Sequence, residues 1–366
     1  TVSPLTKDKA ALIIENTVIT EGTPFIIEND QVFLSYNIIK EYLDPYIFWD
    51  VAENKITITT LDKTVRLATE SLTAYINTEP VEISFPAKKI LTEPYIPINF
   101  LEDLYDIKVK VIGDNNRVIV DKNLSDRKIG STKSKSTTVK LSPSWFSAPI
   151  ARLTKEDTVT VYSLENGWFQ VRTGEGLIGY VPEHKLEVVK MPKKPENDPQ
   201  PKRHNPSPGK LNMVWDYIHK VTPDMSGKTA PVGLDIISPT WFSIVDDQGT
   251  IESKADISYV KWAHNNNLAV WALINNNFDP EITHQFLSSS ETRDKIIRQI
   301  LMYAELFQLD GINIDFENVY YEDKGLLVQF VRELTPILHE AGIAVSIDVT
   351  VKSTSLNWSL CYDRKE

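Results

Sequence analysis

The stretch LDGINIDFEN, residues 309–318, decides how the C-terminal half of this sequence is read. Asn313, Asp315 and Glu317 stand at every second position, with Ile312, Ile314 and Phe316 beside them. Side chains of a β-strand alternate between faces. The pattern therefore predicts a strand with one apolar face and one face carrying two acids and an amide. Setting two carboxylates side by side costs free energy unless they share a proton or accept hydrogen bonds. Stability gives little reason for such a pair. A carboxyl whose pKa is raised by its surroundings, here expected at Glu317, is what a general acid needs near neutral pH.

Working outward, residues 211–366 alternate apolar runs with helical periodicity. MVWDYI, VGLDIIS, LAVWALI, GINIDF and IAVSIDVT predict five buried strands. A helix is expected over about 291–308, with Ile296, Ile297, Ile300, Leu301, Ala304 and Phe307 on one side, and Ser288 to Ser290 could cap it. A second is expected over about 324–340, with Leu327, Phe330, Val331, Leu334 and Leu338 aligned. Buried strands alternating with helices predict a parallel α/β sheet. In a β/α barrel the outer strand face packs on helices, and the inner face near the strand's C-terminal end builds the site. Asn313, Asp315 and Glu317 would then point inward, and Asp310, outside the alternating set, reads as structural.

These residues carry a resemblance. Asp310 to Glu317, DGINIDFE, is similar to the D-G-x-D-x-D-x-E signature of glycoside hydrolase family 18, the chitinase-like enzymes. Asn313 departs from it, since chitinases usually have Asp there; Asn is the pattern of the spore-cortex and cell-wall peptidoglycan N-acetylglucosaminidase branch. SPTWFSI (238–244), VWALINNNFDP (270–280), FENVY (316–320), FVRELTPILHEAG (330–342) and the stretch SIDVT to NWSLCYDRK (346–365) also resemble that branch. The resemblance implies a retaining, substrate-assisted hydrolase of β-1,4 bonds next to N-acetylglucosamine in peptidoglycan, spore cortex or chitin-like glycan. Glu317 would protonate the glycosidic oxygen, and the substrate's acetamide oxygen would attack the anomeric carbon. Asp315 would hold the acetamide N–H, and Asn313 would hydrogen-bond Asp315 without adding a charge. Trp241, Asn275 and Tyr320, each after a strand's C-terminal end, are candidates for sugar stacking or hydroxyl binding. Asp348 and Ser346, on the fifth strand, could support the polar centre. No cofactor and no metal is implied.

Where this pattern stops is also informative. An eight-stranded barrel takes about 250 residues, and 211–366 supplies roughly 150 with five countable strands. The family's sixth-strand M-x-Y-D motif and eighth-strand Trp are absent from it. The expectation is a barrel present in part, either a fragment of a longer product or a truncated relative. The alternative function is then a non-catalytic carbohydrate- or cell-wall-binding protein built on a truncated chitinase-like barrel.

Upstream, residues 4–121 contain a repeat. Aligning 33–58 with 95–120 sets Phe33, Leu34 and Asn37 against Tyr95, Ile96 and Asn99, and Asn54, Ile56 and Ile58 against Asn116, Val118 and Val120. Each copy reads as a short helix (35–43 or 97–105) and a hairpin turning at Glu53-Asn54 or Asn115-Asn116. The segment resembles copper amine oxidase N-terminal-like stalk domains; copper ligands are lacking, so no copper is expected. Residues 138–190, with DTVTV, GWFQV and GLIGYVP, predict a small all-β barrel and resemble a bacterial Src-homology-3-like domain. Its Trp145, Trp168 and Tyr180 could line a groove or fill a small core. Residues 122–137 read as a linker, and 191–210 as a Pro-rich spacer. The fold class is thus multidomain: a duplicated α+β stalk (4–121), an SH3-like barrel (138–190), the spacer, and about five of eight strands of a TIM barrel (211–366). Residues 4–190 would attach the chain to the cell wall, placing it outside the cell or with the wall or spore.

Composition narrows the partners. A formal charge of −11 and a pI near 5.2 argue against nucleic acid and anionic membrane surfaces, both of which need a basic face. No apolar run of the length that spans a bilayer occurs. The single cysteine, Cys361, permits no intramolecular disulfide.

Overall fold

The computed structural model describes residues 10–113, 117–122, 127–190, 209–349 and Cys361. The turn expected at Asn115-Asn116 and most of the Pro-rich spacer lie outside the described residues. Two compact units emerge: residues up to 45 with 84–198, and residues 46–83 with those from 199 onward.

In the first unit the repeat is visible as local symmetry. Helices Tyr36–Tyr42 and Ile98–Tyr105 occupy equivalent positions, each after a strand, Gln31–Ser35 or Glu93–Pro97. Those strands pair antiparallel with Leu34 opposite Ile96, the two residues that the repeat equates. The hairpin after the second helix joins the sheet that holds Ala11–Ile14. The hairpin after the first, Phe48–Asp50 and Lys55–Thr59, begins a separate five-stranded sheet ending at Glu79–Glu82 and belongs to the second unit. Among the described residues of 4–121, those of 46–83 group with the second unit and the rest with the first.

A seven-stranded antiparallel sheet forms the SH3-like part, with a core of Val139, Leu153, Val159, Val161, Val171, Val181 and Leu186. Its first strand is Lys128–Thr132, paired with Thr158–Glu165 and Leu186–Lys190. This corrects the linker reading of 122–137 over its described C-terminal part. The strand is polar because it contributes backbone pairing rather than apolar alternation. Gly130 fits closely there: a Cβ would lie 3.0 Å from a Val161 methyl. Trp168 is core, whereas Trp145 is exposed with its ring 5.0 Å from Trp168.

Five parallel strands in chain order build the second unit's main sheet: Met213–Asp216, Ile236–Ile244, Ala269–Asn275, Gly311–Asp315 and Ala344–Ile347. Helices Ile257–Asn265, Pro280–Ser288, Ser290–Phe307 and Lys324–Glu340 connect the later strands. Ser289 caps Ser290–Phe307 by accepting from the Thr292 N–H at 3.1 Å. Ile312, Ile314 and Phe316 lie in one apolar core with Ile296, Ile297, Ile300, Phe330 and Leu334 of the two long helices. Burial of that stripe drives the sheet and helices together.

The 48–82 sheet packs on the same two helices through buried polar groups. Asp50 accepts from Ser290 N (3.0 Å) and Oγ (2.8 Å) at the start of Ser290–Phe307. Fully buried Arg293 pairs with Glu333 at 3.0 Å and lies over the Phe48 ring. Arg332 lies 3.9 Å from the Tyr46 ring centroid, and Thr64 donates to the Glu333 carbonyl.

Candidate active site

Pairing of the third, fourth and fifth strands sets the inner face as a grid. Trp271, Gly311 and Ala344 form one row, Leu273, Asn313 and Ser346 the next, and Asn275 with Asp315 the row at the C-terminal ends. Gly311 is required by the first row, since a Cβ there would meet the Trp271 ring at 2.7 Å. The alternation expected for 312–317 holds: the isoleucines and Phe316 face the helices, and the polar set faces the opposite way.

Asn313 is fully buried, and both ends of its amide are used. Its Nδ2 donates to Asp348 Oδ2 at 2.7 Å, and its Oδ1 accepts from Ser346 Oγ at 2.7 Å. The expected Asn313–Asp315 hydrogen bond is thus replaced by one to Asp348. The fifth strand lies next to the fourth, so its acid reaches Asn313 across the sheet, whereas Asp315 is two residues further along the same strand.

Three carboxyls converge here. Burial, then the charges of Asp348 and Glu317, push Asp315 up to about 6. Burial also raises Asp348, with Glu317 adding to the rise and the Asn313 hydrogen bond opposing it. Asp315 is the carboxyl raised to about 6 here; Glu317 is exposed at the strand exit. An Asp at 313 would set a third carboxylate against Asp348, which accounts chemically for the amide.

The other candidates divide. Trp241 is 1% exposed, donates its indole N–H to Thr222 Oγ1 at 2.9 Å and packs edge-on to Tyr259. It is core, not a sugar platform; a nine-residue strand carries it into the apolar cluster. Asn275 neighbours Asp315 in register and accepts from the Asn277 N–H at 2.9 Å. Tyr320 is 42% exposed, with its ring 6.4 Å from that of His284, which hydrogen-bonds buried Asp323 at 2.8 Å. Asp310 is structural: it accepts from the Val270 N–H at 2.7 Å and contacts His264 at 2.8 Å.

Sequence reasoning passed over Asn276. It is 0% exposed, accepts from the Glu317 N–H at 3.0 Å and donates to the Glu317 carbonyl at 2.7 Å and to Thr283 Oγ1 at 2.8 Å. Alternation was the available signal. Asn275 shares the face of Asp315, so Asn276 faces the helices, where an amide must find hydrogen-bond partners.

The chain is similar to bacterial glycosylases. It is 26% identical over 127 residues to the uncharacterized glycosylase YvbX of Bacillus subtilis, covering 32% of this chain and 37% of that protein. It is 32% identical over 92 residues to YdhD of the same organism, named as a sporulation-specific glycosylase, covering 25% of this chain and 22% of that protein. The chain thus spans well under half the length of either relative. Among solved structures, the spore cortex-lytic enzyme SleL of Bacillus megaterium aligns with 17% identity and a TM-score of 0.38, over 50% of this chain and 42% of that one. Residues 13–120 match the copper amine oxidase N-terminal domain family, and residues 135–187 the bacterial SH3 domain family.

Proposed function

We propose that residues 211–366 are the first five β/α units of a family 18-like barrel that hydrolyses glycans retentively at N-acetylglucosamine. The observation that carries this reading is the convergence of Asp315, Asp348 and Glu317 at the ends of adjacent parallel strands, with Asp315 held near a pKa of 6. Glu317, exposed at the rim, would meet a glycosidic oxygen and give it a proton. The substrate's acetamide oxygen then attacks the anomeric carbon as the bond to the leaving oxygen breaks. Asp315, ionised, accepts the acetamide N–H and stabilises the positive oxazolinium that forms. Burial and the neighbouring charges of Asp348 and Glu317 raise the Asp315 pKa to about 6, so Asp315 is largely ionised at pH 7. Water returns the second product, with Glu317 now acting as base.

The substrate class is an N-acetylglucosamine-containing wall or cortex polysaccharide, and residues 13–187 hold the chain at the wall. Release of reducing ends from peptidoglycan and from chitin oligomers tests this. Glu317→Gln is expected to lower it at least about a hundredfold, the usual size of general-acid catalysis. Near-normal release by that variant would overturn the assignment. A second reading, glycan binding without turnover, is favoured by a sheet of five parallel strands among the described residues where a closed barrel has eight; retained binding with no release by the unaltered chain would select it.

A further inference from the structure

Two loops follow the third and fourth strands, and two asparagines tie them together. Asn276 brackets the Glu317 peptide, taking its N–H and giving to its C=O. Asn318, the next residue, donates from Nδ2 to the Phe278 carbonyl at 3.1 Å. Asn277, Phe278 and Asn318 all have left-handed backbone, with φ of 53°, 55° and 54°. That conformation is uncommon for a bulky residue such as Phe278 and persists where surrounding contacts over-determine it. Thr283, fully buried, completes the lattice: it accepts from Asn276 and donates to the Asp279 carbonyl at 2.6 Å.

We propose that Asn276 is a positioning residue for Glu317. It fixes the peptide at the strand exit, so that the Glu317 side chain continues the face set by Asn313 and Asp315 instead of turning with the loop. This rests on the catalytic reading of Glu317 given above. The physical need is specific. Glu317 lies beyond the last paired residue of its strand, Asp315, so no ladder hydrogen bond holds its peptide there. A displacement near 1 Å at a reacting group costs on the order of a hundredfold in rate. A side-chain amide carries separate donors and an acceptor, so one buried Asn can pair both the N–H and the C=O of a single residue, as a neighbouring strand does.

The test uses the full chain with Asn276→Ala and, as a milder lesion of the same lattice, Thr283→Val. Amide exchange at Glu317 and kinetics on chitin oligomers are read together. In Asn276→Ala, exchange at Glu317 is expected to accelerate at least about tenfold, and kcat to fall at least about tenfold with KM changed less than about threefold. Exchange within helix 290–307 should be unchanged, which separates the effect from general unfolding. Thr283→Val should move both readouts the same way by less. Unchanged Glu317 exchange would overturn the proposal, as would lost protection with kcat intact. If the unaltered chain releases no reducing ends, the catalytic reading falls by itself. Glu317 exchange then decides the positioning role: accelerated exchange in Asn276→Ala supports it, and unchanged exchange overturns it.

Discussion

Replacing Asp50 by Ala should destabilise the second unit by about 3–5 kcal/mol, a large share of the about 5–15 kcal/mol typical of a folded domain. Asp50 is 6% exposed and accepts four hydrogen bonds: two from Ser290, and those of the Ala52 (3.1 Å) and Glu53 (3.0 Å) N–H groups. Burial pushes its carboxyl up, but the Ser290 and Glu53 hydrogen bonds and the Arg293 charge outweigh that and hold it below the ordinary carboxylate range. Truncation leaves the Ser290 N–H buried without this acceptor, at about 1–3 kcal/mol. Loss of a carboxylate at a helix start adds about 1 kcal/mol, and the local turn loses a similar amount. Because the folded pKa is depressed, the ionised group's contribution is fully present above pH 4 and is lost as pH falls through the folded value. Urea denaturation at pH 7 and at pH 3, with hydrogen exchange across 284–307, measures both effects. A cost below about 1 kcal/mol at pH 7, or unchanged protection of helix 290–307, would refute the reasoning.

Further outcomes follow from other parts of the structure. Arg293→Ala should cost about 3–5 kcal/mol by stranding Glu333 in the core, and the double change Arg293→Met with Glu333→Leu should recover most of it; chemical denaturation reads both. The raised Asp315 pKa means that stability is present below the unfolded value near 4 and is lost as pH rises to about 6. Asp315→Asn should accordingly be more stable than the parent at pH 7, by about 1 kcal/mol after screening at this half-exposed site, and equal to it near pH 4; a destabilised variant at pH 7 would contradict the charge assignment. Asn313→Asp should impair turnover less than Asp315→Asn, and should raise the Asp348 pKa by creating a carboxyl pair, as read by carboxyl-carbon NMR titration. Chelator treatment should leave any hydrolysis unaltered, and metal analysis should find no stoichiometric copper or zinc.

Local pattern determined much of this protein from the sequence. Period-two alternation in 312–317 set which side chains share a face, and helical spacing placed the helix of 324–340 at its observed bounds. The repeat of 33–58 and 95–120 foretold two equivalent helices, while the pairing of Leu34 with Ile96 came from the structure. Such features depend on residues near in sequence or on backbone geometry that repeats. Only tertiary structure decided the rest, because it depends on which distant groups meet. Asn313 donates to Asp348, thirty-five residues away, since strand order sets the two side by side. Burial among other carboxyls, not residue type, raised the pKa of Asp315. Trp241 is core because its strand enters a cluster built largely from later helices. The 48–82 hairpins left their repeat for the second unit because Asp50 completes a helix start at Ser290, a fit between complementary buried groups that no periodicity within either stretch records.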